Sequence, residues 1–296
     1  MQKKRGLGVS AIRWLLLIVW ISFWLVYLVW LHVGVGYTLH IILVSLFFLW
    51  LFSFIPVVVY RWLPPYITSI SIGQFFRNMM SREREKLHKR VFLPIGRISP
   101  NLYNAVNISE ENGYFMHHKG FNITYMIRAY RSNEAGNSLR GASTISQQTA
   151  KNIFLFHART WTRKIIEAYY TVLIEMLWGK MRIMECYLNV VEYGKGIYGC
   201  EAASQYYFSH SASELTPLEA AMLVASLPAP QVRNPFSRTE MYNKQVERIM
   251  KIMDKVPAIE WGVPPQAFNL DNEVDIERSL FFFLKWLILH KSKKQC

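Results

Sequence analysis

The sequence predicts a mainly α-helical protein that is anchored to a membrane by N-terminal helices. Three observations support this fold class. Between Arg13 and Arg61 the chain contains no Asp, Glu, Lys or Arg. In the rest of the chain apolar residues recur at helical spacing, and several segments begin with helix-capping patterns. No convincing run of alternating polar and apolar residues, which would indicate a half-buried strand, is present.

The uncharged region contains two apolar segments, residues 14–31 and 41–60. A membrane-spanning helix needs about 20 apolar residues, so both segments qualify by composition. The region is also too long for the apolar core of a signal peptide. We therefore expect residues 1–62 to form a membrane anchor. Whether both segments cross the membrane stays open at this point.

The charge distribution excludes some function classes. The net charge is +14, and seven Lys or Arg residues precede the first acidic residue, Glu83. The basic residues are scattered and no nucleic-acid-binding module is recognisable, so we expect no nucleic-acid partner. Anionic headgroups or a phosphorylated lipid fit a basic protein beside a membrane better. The three cysteines are too few and too irregular for a disulfide framework or a zinc site, and we expect Cys186 and Cys200 to be small buried apolar residues.

The remaining chain divides into three parts. Two prolines in the sequence LPPY end the anchor, and we expect residues 63–97 to be a juxtamembrane linker. A helical domain follows at residues 98–256. Its clearest helix start has Thr216 as N-cap, Pro217 in the first turn and Glu219 completing a capping box. Residues 257–296 form a tail, whose short apolar stretch with Lys285 in its middle suggests an interfacial amphipathic segment.

The stretch RGASTISQQTAKN, residues 140–152, is predicted to open a helix. Thr144 and Gln147 have the spacing of a capping box. Ser143, Gln147 and Lys151 recur every four residues and therefore share one helix face. Two interpretations remain at this point, namely a capped, solvated helix and a polar wall that faces a charged ligand.

Three further groups could carry chemistry. The adjacent carboxylates Glu110 and Glu111 repel each other, which would raise one pKa and suit a general base. They are followed by two histidines, for which structural roles are expected because no metal-binding partners have the right spacing. Arg163 and Glu167 lie one helical turn apart, with Lys164 beside Arg163. A glycine-rich bend after Asn189 suggests tightly routed backbone.

In this order and spacing, the blocks RGASTISQQTAKN, RKIIEA, CYLNVVEYGKGIYGCEAASQYYF and LTPLEAAMLVASLPAPQVRNP resemble peptidoglycan glycosyltransferases, the enzymes that polymerise lipid II into glycan strands. The resemblance covers residues 98–234 and is to the single-domain form, without a transpeptidase domain. It implies a mainly α-helical, lysozyme-like head with a second lobe near the membrane. It also implies lipid II and the growing glycan chain as substrates.

The resemblance implies the following site residues. Glu110 or Glu111 would be the catalytic base, and Glu167 is the family's second carboxylate. Lys151, Arg163 and Lys164 would surround the diphosphate of the donor, where fixed cations stabilise the developing charge. The full set of substrate-binding candidates is Ser143, Thr144, Gln147, Gln148, Lys151, Asn152, Arg163, Lys164 and Asn189.

The register of the catalytic glutamate is ambiguous because SEENGYFMHHKG has one residue more than the family pattern. Alignment from the preceding helix makes Glu110 catalytic and lets an Asn112–Gly113 turn absorb the extra residue. Alignment from the downstream FMHHKG makes Glu111 catalytic. We favour Glu110, because the preceding helix fixes the direction of its side chain.

Two other functions compete with polymerisation. A lytic glycan-cleaving enzyme on a similar fold would need an acid and often a second carboxylate, but no cationic clamp for a diphosphate. A catalytically inactive scaffold that docks other cell-wall synthesis proteins is supported only by the departure at SEEN.

Location and cofactors are expectations from the resemblance. No cofactor is expected to be required, although a divalent cation (Mg²⁺ or Mn²⁺) near the diphosphate stays open, and no metal-ligand residues are assigned. The expected location is the bacterial cytoplasmic (inner) membrane, with the catalytic domain on the outer (periplasmic) face. However, four basic residues before the first apolar segment favour an internal N-terminus, and two crossings would leave the domain inside. The family usually has one anchor, which corresponds best to Ile41–Tyr60.

Overall fold

The computed structural model describes residues 20–28, 37–80, 90–123, 126–127, 143–156, 160–237 and 239–262. The chain divides into two compact units, with the boundary between Leu63 and Pro64. The first unit contains helix α1 (residues 20–28) and helix α2 (Tyr37–Tyr60). Among its described residues, the second unit has the α-helices α3 (Ser69–Met80), α4 (Pro100–Glu111), α5 (Ile145–Phe154), α6 (Trp161–Leu177), α7 (Lys180–Val190), α8 (Cys200–Phe208), α9 (Pro217–Ser226) and α10 (Glu240–Met253), and a few helical residues at 123 and 126–127. The prediction of a mainly helical protein is confirmed.

Helix α2 contains one segment that could cross a membrane. Leu39–Val59 is 21 residues long and has a mean hydropathy of 2.7, which suffices by length and composition. The second predicted apolar segment, residues 41–60, lies almost entirely within it. Of the first apolar segment only residues 20–28 are described, and these are helical. A crossing by residues 14–31 therefore stays a prediction.

The expected juxtamembrane linker, residues 63–97, contains a helix. Helix α3 lies inside this range and packs against α5. Ile70 is buried, and the Ser69 hydroxyl donates a hydrogen bond to the Ile153 carbonyl at 3.3 Å. The contact is made by the N-terminal end of α3, where Thr68, Ser69 and Ile70 are buried. The charged residues 81–89 lie outside the described part of the chain.

Helix α7 is at the centre of the second unit. Its residues Ile183, Met184, Cys186 and Asn189 are all fully buried, and at about 100° per residue they point to every side of the helix axis. A helix that is buried on all sides must be surrounded by other elements. Accordingly α7 contacts α5, α6, α8 and the turn of 3₁₀ helix at Ile95–Arg97. A second group of contacts joins α4, α9 and α10.

A short antiparallel hairpin follows α7, which the sequence did not predict. Strand β1 (Glu192–Gly194) pairs with strand β2 (Ile197–Tyr198). The strands are too short for an alternating pattern to be recognisable. The predicted tight backbone in this bend is confirmed, because a Cβ at Gly194 would collide with the Tyr207 hydroxyl. At Gly199, where φ is +87°, it would lie 2.8 Å from the Asn189 carbonyl oxygen.

Both predicted capping boxes are present, at the starts of α5 and α9. Thr144 and Gln147 exchange side-chain and backbone hydrogen bonds, and Thr216 and Glu219 do the same. The expected apolar role of the first two cysteines is also confirmed. Cys186 and Cys200 are free and fully buried, and burial raises the pKa of each thiol to about 12.

The described domain continues past residue 256. Ile259 is buried, and its backbone N–H donates to Asn104 Oδ1 on α4 at 2.8 Å. The Trp261 ring packs edge-on against Tyr103, with 5.3 Å between the ring centroids. The start of the predicted tail, residues 257–262, is therefore part of the folded unit. The predicted interfacial segment lies outside the described residues.

Candidate active site

Glu110 and Glu111 end helix α4, and the chain reverses directly after them. Asn112 caps the helix in the left-handed conformation (φ +50°), and Gly113 also has positive φ (+89°). Asn and Gly are the residues that adopt this conformation at least cost. Downstream, the Asn107 side chain accepts a hydrogen bond from the Phe115 backbone N–H at 3.1 Å. The expectation that an Asn–Gly turn follows the two glutamates is confirmed.

Both carboxylate oxygens of Glu111 contact other residues of the protein. Its side chain is only 2% exposed. Oε1 accepts a hydrogen bond of 2.6 Å from the backbone N–H of Ile145, the first residue of α5, and Oε2 contacts His118 Nε2. A carboxylate at a helix N-terminus interacts favourably with the free N–H groups and the helix dipole. Glu111 thus ties α4 to the start of α5, and His118 has the structural role that was expected.

Glu110 points to a different environment. It is half-buried, and its Oε2 accepts a hydrogen bond of 2.6 Å from Gln148 Nε2 on α5. Burial raises the pKa of the Glu110 carboxyl, and the neighbouring Glu111 charge adds to this effect. The hydrogen bond from Gln148 and the charge of Lys151 act in the opposite direction. A partly accessible carboxyl with a raised pKa is suited to accept a proton, so the geometry favours Glu110 over Glu111 as the base.

Lys151 lies on α5, one turn after Gln148. It is half-buried, and no hydrogen bond joins its ammonium group to another described residue. Burial lowers its pKa, while the opposite charges of Glu167 and Glu110 raise it. Lys151 is therefore in electrostatic contact both with the candidate base and with the charged residues of α6.

Helix α6 contributes a cluster of two cations around one carboxylate. Arg163 Nη1 donates to Glu167 Oε2 at 2.6 Å, and Lys164 Nζ contacts Glu167 Oε1. Glu167 is only 2% exposed, whereas the Arg163 and Lys164 side chains are 21% and 28% exposed. Arg163 Nε is buried without a partner among the described residues. Together with Lys151 the cluster holds three cations and one carboxylate, so it is positively charged.

The remaining predicted site residues fall into two groups. Ser143 is exposed, and its hydroxyl accepts a hydrogen bond from Lys164 Nζ at 3.4 Å, so it lies beside the cationic cluster. The Thr144, Gln147 and Asn152 side chains are buried. Thr144 donates to the Gly120 carbonyl at 2.6 Å. The expected stripe of Ser143, Gln147 and Lys151 is corrected in one respect, since Gln147 turns inward to complete the capping box and Gln148 faces Glu110 instead.

Asn189 is fully buried and bonded to backbone. Its Nδ2 donates to the carbonyls of Leu93 and Glu185, and its Oδ1 accepts from the Leu93 N–H, each at 2.8 Å. These bonds fix the segment before α4 to the end of α7. The predicted substrate contact of Asn189 stays a prediction without geometric support.

One residue of this network was not singled out from the sequence. Tyr187 is fully buried on α7, and its hydroxyl donates to Gln148 Oε1 at 3.3 Å. Burial raises the pKa of this phenol well above its usual value. The sequence placed Tyr187 on an apolar helix, where a buried tyrosine is ordinary, and only the packing of α7 against α5 reveals its contact.

A helical domain in which a half-buried glutamate and a cluster of cations meet defines a site for acid–base chemistry on an anionic substrate. The profile of the transglycosylase family matches residues 77–254, and the chain belongs to this family. The transglycosylase domain has a lysozyme-like fold, as was expected from the sequence.

Three relatives are all named biosynthetic peptidoglycan transglycosylase. The protein of Caulobacter vibrioides is 46% identical over 176 residues, which are 60% of this chain and 73% of the relative. The protein of Bacteroides thetaiotaomicron is 39% identical over 219 residues, 73% of this chain and 87% of the relative. The protein of Bdellovibrio bacteriovorus is 41% identical over 223 residues, 75% of this chain and 87% of the relative.

Proposed function

We propose that the chain polymerises lipid II into linear β-1,4 glycan strands and releases polyprenyl diphosphate. The observation that carries this proposal is that the half-buried Glu110 lies within electrostatic range of Lys151, which is itself within range of the charged residues of α6. Polymerisation needs both a base for a sugar hydroxyl and positive charge for a diphosphate. The names of the relatives support the same reaction.

Glu110 would act on the acceptor. Its carboxylate removes the proton from the 4-hydroxyl of the acceptor N-acetylglucosamine as that oxygen attacks the anomeric carbon of the donor N-acetylmuramic acid. The bond from that carbon to the diphosphate oxygen breaks, and the configuration inverts. General-base assistance contributes about 10²–10⁴-fold to such a step. Glu110 then has to release its proton to solvent before the next cycle.

Lys151, Arg163 and Lys164 would act on the donor. The leaving group carries the negative charge that develops as the glycosidic bond breaks, and fixed cations stabilise that charge without reorganisation. Glu167 holds Arg163 and Lys164 in place through both of its oxygens. We therefore assign Glu167 a positioning role and leave the direct contacts to the three cations.

A divalent cation held by the protein does not fit these residues. Both oxygens of Glu167 are occupied by Arg163 and Lys164, and Glu111 is occupied by Ile145 and His118. Within the described ranges no group of three or more His, Cys, Asp or Glu side chains could hold a metal ion.

The test is incubation of the purified full-length protein with labelled lipid II, with Glu110→Gln as the matched inactive variant. We expect glycan polymer from the wild type only. Shortening of preformed glycan strands, with lipid II untouched, would support the lytic enzyme. Neither polymerisation nor cleavage, under conditions in which a relative is active, would support the inactive scaffold.

We further propose that the chain resides in the bacterial cytoplasmic membrane with its catalytic domain on the outer face, where lipid II is polymerised. The apolar helix Leu39–Val59 supports a membrane anchor. With an internal N-terminus, one crossing by this helix brings the following domain to the outer face. Other cell-wall synthesis proteins are proposed as partners because they would share this location.

A further inference from the structure

Three hydrogen bonds hold the amide of Gln148. One is donated by Nε2 to the Ser143 carbonyl at 3.4 Å, and the other two join the amide to α4 and α7. Its Nε2 donates to Glu110 Oε2 at 2.6 Å, and its Oε1 accepts from the Tyr187 hydroxyl at 3.3 Å. Both contacts specify the same orientation of the amide. In the flipped orientation the amide oxygen would face the carboxylate oxygen of Glu110, which is repulsive, and the NH₂ group would face the phenol.

Tyr187 is suited to enforce this orientation. It is fully buried, so it cannot contact a substrate in the cleft. Its pKa is raised well above the usual value, first by burial and then by the charge of Glu110, so the hydroxyl keeps its proton at any working pH. A phenol can also accept from an NH₂ group, but in the flipped orientation the Tyr187 proton would have no acceptor among the described residues, so the observed orientation is favoured.

We propose that Tyr187 is a positioning residue for the reaction, which acts through Gln148 to hold the Glu110 carboxylate in the direction that leaves Oε1 for the acceptor hydroxyl. The proposal rests on the proposed role of Glu110 as the base. Tyr187 itself touches no reacting atom. Its effect is confined to the orientation and the ionisation of the base.

The charged and titratable groups around Glu110 come from each element beside it. Glu111 lies on the same helix, Lys151 on α5, Tyr187 on α7 and Tyr193 on β1. Burial and Glu111 raise the pKa of Glu110, whereas the Gln148 hydrogen bond and Lys151 lower it. Loss of the oriented Gln148 bond would therefore raise this pKa further.

The molecule provides a matched control for Tyr187. Tyr193 is also fully buried, interacts electrostatically with Glu110 and has a pKa raised well above the usual value. However, its hydroxyl has no hydrogen-bond partner among the described residues. Tyr187→Phe and Tyr193→Phe therefore each remove one buried hydroxyl, and only the first removes a hydrogen bond to Gln148.

The experiment measures kcat and KM of polymerisation by full-length variants from pH 5 to 9. For Tyr187→Phe we expect kcat to fall about 3- to 10-fold with little change in KM. In the plot of kcat against pH, we expect the acid limb to move to higher pH by about half a unit or more. Tyr193→Phe should match the wild type. In a Gln148→Ala background, Tyr187→Phe should have no further effect, because its path to Glu110 is already broken.

Three outcomes would overturn the proposal: an unmoved acid limb in Tyr187→Phe, equal effects of the two Tyr→Phe changes, or an undiminished effect in the Gln148→Ala background. Titration of ¹³C-labelled glutamate carboxyls in detergent, with Glu110→Gln for assignment, reads the same shift without activity. A shift in this titration without polymer from the wild type would contradict the proposed function but not the positioning contact. Polymer without any shift would contradict the positioning contact alone.

Discussion

Glu110 and Glu111 are adjacent in the chain but differ in burial and in the hydrogen bonds of their carboxylates. The two oxygens of Glu111 bind the Ile145 N–H and His118, so neither is left for an acceptor hydroxyl. Glu110 is half-buried and has one oxygen bound to Gln148. The difference arises because successive side chains on a helix point about 100° apart.

Glu110→Gln should abolish measurable polymerisation while leaving the fold unchanged, since the neutral amide cannot accept the proton. The expected loss is about 10²–10⁴-fold in kcat. Glu111→Gln should retain measurable activity. It should lower the free energy of unfolding by about 1–3 kcal/mol, because the buried contacts of the Glu111 carboxylate are weakened. Lipid II turnover and thermal unfolding of both variants check this. The opposite ranking of activities would mean that the downstream register is correct.

Lys151→Ala should reduce kcat by about 10²-fold or more, because a preorganised charge near the leaving group is lost. Folding should change little, since no described residue hydrogen-bonds to the Lys151 ammonium. Lys195→Ala, at the exposed tip of the hairpin, removes the same charge outside the cluster and serves as the control. Near-normal turnover by Lys151→Ala in the lipid II assay would show that the diphosphate binds elsewhere.

Capping at the ends of helices was the most predictable feature of this fold. The Thr144 and Thr216 boxes and the Asn112–Gly113 turn are local, so the residues that form them are close in sequence. The contacts from Glu111 to Ile145, from Gln148 to Glu110 and from Tyr187 to Gln148 join residues that are more than 30 positions apart. Their partners depend on how α4, α5 and α7 pack, which no local pattern encodes.

The start of α9 carries a contact that depends on pH. His210 Nε2 lies 3.0 Å from Glu219 Oε1, and Glu219 Oε2 accepts from the Thr216 backbone N–H at 2.9 Å. The hydrogen bond with Glu219 raises the pKa of His210. Partial burial raises the pKa of Glu219, but the hydrogen bonds from His210 and Thr216 outweigh it, and the net pKa is lowered.

A raised His pKa contributes stability that is fully present below the unfolded-state pKa of about 6.5 and is lost as the pH rises through the folded-state value. His210→Ala should therefore lower the melting temperature at pH 5.5–6.5 and have a diminishing effect above that range. Thermal unfolding of the two proteins across pH 5–9 checks this. Lys244→Ala, which breaks the exposed pair with Glu240, should show no such trend. A pH-independent difference for His210→Ala would exclude the ionic contribution.

At the scale of the whole molecule, the sequence predicted a membrane anchor and a helical domain, because both depend on composition and periodicity. The family match from residue 77 to 254 starts inside the expected linker, as does α3. The sequence did not predict that α3 packs onto α5, because two prolines and a charged run on either side of it are typical of a connection. The orientation of the anchor depends on the basic residues that precede it.

We expect the N-terminus to lie inside the cell and residues 98–256 outside, with a single crossing by Leu39–Val59. Protease added to intact spheroplasts should digest the domain and leave an N-terminal epitope tag on a small protected fragment. Lysed spheroplasts should lose the tag as well. Protection of both the tag and the domain in intact spheroplasts would indicate two crossings and an internal domain.

The buried thiols of Cys186 and Cys200 make unfolding visible chemically. With a pKa of about 12, each thiol is ionised to a fraction on the order of 10⁻⁴ at pH 8, and alkylating reagents attack the thiolate. Both groups lie in the core around α7 and the start of α8, so they react only when this core opens. With Cys296 replaced by Ser, the rate of alkylation therefore measures how often the centre of the domain opens, in detergent or in a native membrane alike.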